Sequence, residues 1–247
     1  MKKNAVLMFV FFVMAATFAA AQDIQVLIAQ GDELYVNRED PAVAKQALDK
    51  YLEALKIDPD SYEALWRAGK VIFSIGMAAR TDEEKKKIFN DGVTYCKKAV
   101  AVNPNRVEGH FWMGVNLGKY GEARGVLKSL FLKNDIIREM NEVVKLDEAY
   151  EGAGAYRVLG RVYYKVPGLF GGSKQKSKMY LEKGKKICPT NTLTLIYLAE
   201  TYKGLDQDQE AVKTLEEIIN LTPDARWIPE TKADKTEAAK LLQKYKK

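Results

Sequence analysis

Arg157 and Arg161 stand four residues apart. On a helix that spacing puts both guanidinium groups on one face, where together they can grip one carboxylate or other anion. At the same helical phase the chain offers Tyr164 in the same segment and Trp66, Lys70, Phe73 and Phe111 in earlier ones. Aromatic rings supply apolar area with few rotors, so cations interleaved with aromatics describe a binding face. Its occupant would be amphipathic: a peptide segment, a protein surface, or an organic acid with an apolar body. The competing account packs each ring into a neighbouring helix and pairs each arginine with a nearby glutamate.

Groups for covalent chemistry are sparse. The one histidine, His110, lies among apolar residues, which fits a structural role better than a catalytic base or pH sensor. Cys96 and Cys188 fall on different repeats with a whole repeat between them, wider than the roughly 7 Å between Cα atoms that a disulfide tolerates. Their spacing also does not suit zinc. The run from Gly168 through Gly171, Gly172, Ser173 and Lys174 has glycines like a phosphate loop, but a phosphate loop needs Gly-Lys before Ser/Thr and a preceding strand. A tight interhelical turn capped by Ser173 accounts for every residue. Neighbouring carboxylates such as Glu83-Glu84 and Glu216-Glu217 diverge on a helix and make no acid/base dyad. The residues therefore point to a non-enzymatic binding protein with no cofactor and no metal.

The elements that carry this face are announced by a phrase that returns five times. It ends at Asp58-Pro59, Asn103-Pro104, Asp147-Glu148, Cys188-Pro189 and Thr222-Pro223. Each copy reads as the last turns of a helix closed by a polar residue and a proline, and a recurrence of this kind marks a helical repeat array. Ahead of each copy, a bulky–small pair lies in a preceding helix: Gln30-Gly31, Ala68-Gly69, Met113-Gly114, Leu159-Gly160 and Leu198-Ala199. The small residue lets a second helix approach closely. The last unit, Pro189 to Pro223, has the 34-residue period and the Ala199, Ala211, Pro223 spacing of a tetratricopeptide repeat.

The other units are longer: Pro59 to Pro104 spans 45, Pro104 to Glu148 spans 44 and Glu148 to Pro189 spans 41. The surplus should lie between the two helices of each pair, near Asn37 to Pro41, Ala79 to Lys86, Tyr120 to Asn134 and Pro167 to Gly172. A connector from Arg226 to Glu230 and a capping helix from Lys232 to Tyr245 should follow. The expectation is an all-α, right-handed superhelix of five tetratricopeptide-like pairs plus a C-terminal cap. Its first helices would line the inner face, adding Ile28, Asp32, Tyr35, Glu63, Glu108, Val115, Ile196 and Glu200 to the candidates above.

Residues 1–21 read as a cleavable signal peptide, with Lys2 and Lys3, an uncharged apolar stretch and Ala19-Ala20-Ala21 before Gln22. Residues 22–247 read as one domain, and 47% hydrophobic residues suffice for its core. The mature chain is expected to be soluble, exported or periplasmic, and without a membrane span. The net charge of +6 is interleaved rather than blocked, which argues against a nucleic-acid partner.

From Glu108 to Glu230 the chain resembles a narrower group. The residues are Phe111-Trp112-Met113-Gly114 with Gly118, Leu146 to Tyr150 with Gly152, Leu159-Gly160-Arg161, Pro167 with Gly171-Gly172-Ser173, and Thr222-Pro223-Asp224 with Trp227 and Pro229-Glu230. Their order resembles the T-component family of tripartite ATP-independent periplasmic (TRAP) transporters. That resemblance implies an all-α protein outside the inner membrane, partnered with a periplasmic solute-binding protein. It also implies a ligand-sized internal passage, and a small-molecule binder that holds an apolar organic acid in such a passage is a second reading. Members are often lipoproteins, and this chain has no cysteine near its leader. A generic periplasmic tetratricopeptide scaffold is the alternative.

Overall fold

The computed structural model describes residues 21–246. The leader assigned to residues 1–21 lies outside them except for Ala21. Among the described residues there are helices and turns and no strand. The described chain divides into two compact units, with the boundary between Pro104 and Asn105.

The first unit holds α1 (21–35), α2 (Pro41–Ile57), α3 (Tyr62–Ala78) and α4 (Asp82–Val102). The second holds α5 (Val107–Arg124), α6 (Lys133–Leu146), α7 (Tyr150–Lys165), α8 (Lys174–Ile187), α9 (Thr192–Lys203), α10 (Asp208–Asn220) and α11 (Ile228–Tyr245). Within the units α3 packs on α4, α5 on α6, α7 on α8 and α9 on α10, and α11 covers α9 and α10. These are the expected A/B pairs and cap.

The recurring phrase ends its helices in one way. Asp58, Asn103 and Asp147 are extended and Cys188, with φ −132° and ψ 84°, is likewise non-helical, and each donates its N–H to the carbonyl four residues back. A following proline excludes the helical region for the residue before it, which explains three of the four. Asp147, followed by Glu148, adopts the same geometry with φ −160° and ψ 99°. The fifth copy differs: α10 stops at Asn220, and Leu221 closes a tighter turn onto Ile218.

Pair packing depends on the small residues. A Cβ on Gly31 would sit 2.5 Å from the Tyr51 ring, one on Gly69 2.1 Å from Cys96 Sγ, and one on Gly160 2.5 Å from Leu181 Cγ. In each case helix B inserts a side chain where helix A has none. Cys96 is consequently buried, and burial alone pushes its thiol far above the ordinary range. Cys96 and Cys188 are both free thiols.

Two boundaries differ from the sequence reading. The stretch Ala79 to Lys86 is not an insert. Residues 79–81 make the turn, Thr81 and Glu84 form a reciprocal capping box, and the surplus residues lengthen α4 to 21. The final helix begins at Ile228 rather than Lys232, because Pro229 sits in its first turn, where a missing N–H costs nothing. The surplus in the third and fourth pairs forms projecting turns, Leu127–Leu132 and Gly168–Phe170. Ser173 caps α8 by accepting from Lys176 N at 3.2 Å. Ser173→Ala should lower stability by about 1 kcal/mol, read as a shift in urea midpoint without a change in slope.

The start of α7 is unusual. Glu151, Gly152 and Ala153 have φ of 49°, 63° and 60°, a single left-handed turn. Only the glycine adopts this without strain. Its bare Cα also admits the Trp227 ring, which a Cβ there would meet at 2.6 Å.

Candidate functional site

In the first unit the inner face is built by α1 and α3. Asp32 accepts from Tyr51 Oη at 2.7 Å and from Arg67 Nε at 2.8 Å. Arg67 also ion-pairs with Glu63 and lies 4.3 Å over the Trp66 ring. Trp66 Nε1 donates to Glu63 at 3.0 Å, and the Lys70 ammonium sits 4.8 Å from the Tyr35 ring. Burial and then the Asp32 hydrogen bond push the Tyr51 phenol far above its ordinary range. Asp32, Tyr35, Glu63, Trp66 and Lys70 thus share one network, as the helical phase predicts, with Arg67 added. Two assignments change. Ile28 is buried against Ala54 and Ala64, and Phe73 turns toward Phe89 of α4 at 6.4 Å between ring centroids.

In the second unit α5, α7, α9 and α11 contribute. Arg161 ion-pairs with Glu200 and stacks 4.1 Å over the Tyr197 ring, with Tyr164 at 5.6 Å. Its Nε is buried without a hydrogen-bond partner. Arg157 donates Nη1 to the Glu151 carbonyl at 3.4 Å. Burial lowers its pKa against the opposing pull of Tyr197, Glu151 and Asp234. Lys119 donates to Glu122 at 2.9 Å. Burial would lower the Lys119 pKa, but nearby Tyr197 and Glu122 outweigh it, so the ammonium is held charged. Asp234 of α11 accepts from Thr192 at 2.7 Å, and burial raises its carboxyl above the usual range. Burial and the neighbouring Glu200 push the Tyr245 phenol up to about 12.

The structure therefore gathers Arg157, Arg161, Tyr164 and Glu200 as expected. Phe111 does not join them. It is 1% exposed, edge-on to Trp112 and Tyr150, and packed where Gly154 leaves room. Ile196 belongs to the core with Leu195 and Leu215, and Glu108 is engaged by Arg106. Lys119, Tyr197, Asp234 and Tyr245 were not candidates from sequence. Lys119 was within reach of that reasoning, one turn beyond Val115 on the same helix.

His110 has a structural partner. Its Nδ1 lies 2.7 Å from Glu139 Oε2 across α5 and α6, with both side chains buried. Among the described residues no group of three or more His, Cys, Asp or Glu could hold a metal ion, and no helix is long and apolar enough to cross a membrane. Two open grooves, of about 450 and 380 Å³, run along α8 (Lys178, Glu182) and beside α1 (Gln30, Glu33). Neither is lined by a residue of the two inner faces.

Stacked A/B helix pairs with small-residue crossings and a recurrent capped exit define a tetratricopeptide-type helical repeat protein. Solved structures agree on the fold. A tetratricopeptide protein of Thermus thermophilus superposes with a TM-score of 0.65 at 18% identity, covering 87% of this chain and 98% of that one. The pilF protein of Pseudomonas aeruginosa superposes at 0.60 and 16% identity, covering 92% and 93%. Residues 27–170 match the family model described as Regulator of microtubule dynamics protein 1-3, and the chain belongs to that family. The bovine Regulator of microtubule dynamics protein 1 is 24% identical over 244 residues, covering 90% of this chain and 72% of that protein. The mouse protein of the same name is 26% identical over 113 residues, 35% of its length. The family model and these relatives thus give the Regulator of microtubule dynamics family, where the sequence reading draws a T-component resemblance.

Proposed function

We propose that the chain is a non-enzymatic scaffold that captures a protein partner on the inner faces of its A helices. One observation carries this reading most directly. In the second unit Lys119, Arg157 and Arg161 converge among Tyr164, Tyr197 and Tyr245, and two of these cations retain unused donor capacity. Arg161 Nε has no acceptor, and Arg157 has only a long carbonyl contact beside Asp234. A carboxylate next to an aromatic or aliphatic group would pair with the solvent-facing edge of this cation cluster and stack on the rings. The segment recognised is therefore acidic and amphipathic.

Fluorescence polarisation with labelled acidic–aromatic peptides, and charge-reversed controls, tests this. The Arg157→Ala/Arg161→Ala pair should weaken acidic-peptide binding at least about tenfold, because each charge-assisted hydrogen bond is worth roughly 1.5–3 kcal/mol. Its circular dichroism should remain that of a helical protein. Equal binding of acidic and basic peptides, or unchanged affinity in the variant, rejects the reading.

Two partner classes are favoured by different observations. Kinship with proteins named as regulators of microtubule dynamics favours a cytoskeletal partner. The leader-like residues 1–21 and the ordered motifs from Phe111 to Glu230 favour export and a periplasmic solute-binding protein. Fractionation of the source cells separates them, since an exported chain never meets a cytosolic filament. A small apolar acid held in an internal passage is the third occupant. Calorimetry with such acids, giving saturable heat lost in the Arg157/Arg161 variant, would support it.

A further inference from the structure

We infer that the second unit carries a docking tip for an anionic lipid surface, on the rim formed by its A-to-B turns and separate from the inner face. The residues that lengthen the third and fourth pairs build it. In the turn after α5, Leu127 is 66% and Phe131 63% exposed; in the turn after α7, Leu169 is 90% and Phe170 45% exposed. The two turns are joined, because Lys133 Nζ donates to the Phe170 carbonyl at 2.8 Å. Gly125 (φ 90°) and Gly171 (φ 84°) provide the backbone geometry that lets each turn project. The pieces are held from below as well, with Leu132 and Ser129 buried against α5. Large apolar side chains are thus presented to solvent on a fixed support, which a soluble surface ordinarily avoids.

Charge identifies the occupant. Residues 123–134 contain Arg124, Lys128 and Lys133 and no acid. Residues 152–181 contain no acid either, and Lys165, Lys174 and Lys176 flank the second turn. Arg124 lies over both Tyr120 and Phe131, so cation and ring form one unit at the tip. An apolar projection with Arg124 and Lys133 held against its rings and backbone, in acid-free stretches of chain, suits a deformable anionic interface, where the rings sit among acyl chains and the cations meet headgroup phosphates. A second copy of the chain would bring like charges together.

The test places an environment-sensitive fluorophore on Leu169→Cys in the full chain, the two native thiols being buried. The same probe on Thr222→Cys, in the turn between α10 and α11, serves as the control. Vesicles of phosphatidylcholine with phosphatidylglycerol should blue-shift the probe at 169, pure phosphatidylcholine should not, and added salt should reverse the shift. The probe at 222 should stay unchanged. Lys128→Glu/Lys165→Glu should weaken the response at least about tenfold, since each cation near an anionic surface contributes roughly a fivefold factor. Because the probe reports its own surroundings, insertion of the leader-like residues cannot mimic the result. No shift, an equal shift at 222, an equal shift on neutral vesicles, or indifference to the charge reversals overturns the inference. Self-association without vesicles that Leu169→Asp/Phe170→Asp abolishes also overturns it, and assigns the tip to a second copy.

Discussion

Gly172→Ala should destabilise the second unit by about 3 kcal/mol, while Gly168→Ala, four residues earlier, should leave it unchanged. A Cβ on Gly172 would sit 1.6 Å from the Val166 carbonyl oxygen and 2.5 Å from its carbon. These are backbone atoms at the end of α7, so no rotamer change relieves the clash. Relief requires opening the turn. That strains the hydrogen bonds of Gly172 N to Pro167 at 3.1 Å and of Ser173 N to Tyr163 at 2.8 Å. It also displaces the Ser173 cap. At Gly168 an added Cβ meets nothing within 4 Å. Thermal melts followed by far-ultraviolet circular dichroism should show the 172 variant lower by about 5–10 °C. Coincident melts for the two variants would mean that the turn does not pin α7 to α8.

Removal of the Glu139 carboxylate should rank next. Glu139 and His110 are 4% and 6% exposed, and their contact joins the two helices of the third pair. Glu139→Ala should lower stability by about 2–3 kcal/mol, the range for a buried hydrogen bond to a charged group. The dependence on pH has a definite sign. Burial alone would raise the Glu139 pKa, but the hydrogen bonds from His110 and Arg138 outweigh it, so the folded value lies below the ordinary 4.5. A carboxyl with a depressed folded pKa stabilises fully above its unfolded pKa and loses that contribution as pH falls through the folded value. The stability gap between wild type and Glu139→Ala should therefore be widest near neutrality and shrink below about pH 4.5. Chemical denaturation near neutrality and about one pH unit below that point measures both ends. A gap that grows on acidification would show that the carboxyl is protonated in the fold.

The five helix pairs were legible because the chain punctuates them chemically. A polar residue and a proline close most B helices, and a small residue marks each A/B crossing. Exit geometry and crossing contacts follow from these residue types, with little help from the rest of the fold. The second insert was not legible. Asp82 to Lys87 is charged throughout and resembles a solvated loop, yet Thr81 and Glu84 are the two halves of a helix start. Pro229 misled in the same way, since a proline opens a helix as readily as it interrupts one. For the inner face, counting from the small residue gave direction but not cover. Phe111 points inward and is then buried by α7, which only the packing of successive pairs reveals. Lys119, Tyr197, Asp234 and Tyr245 come from three different helices, and no local spacing links them.

The shared exit of α6 and α8, at Asp147 and Cys188, sets the phase at which the next pair begins, whatever the preceding A-to-B turn contains. Length variation at that rim is thereby uncoupled from interior register. New segments could be inserted at the exposed tips, beside Leu127 or Leu169, without retuning the core, and natural variants that gain or lose residues should do so there first.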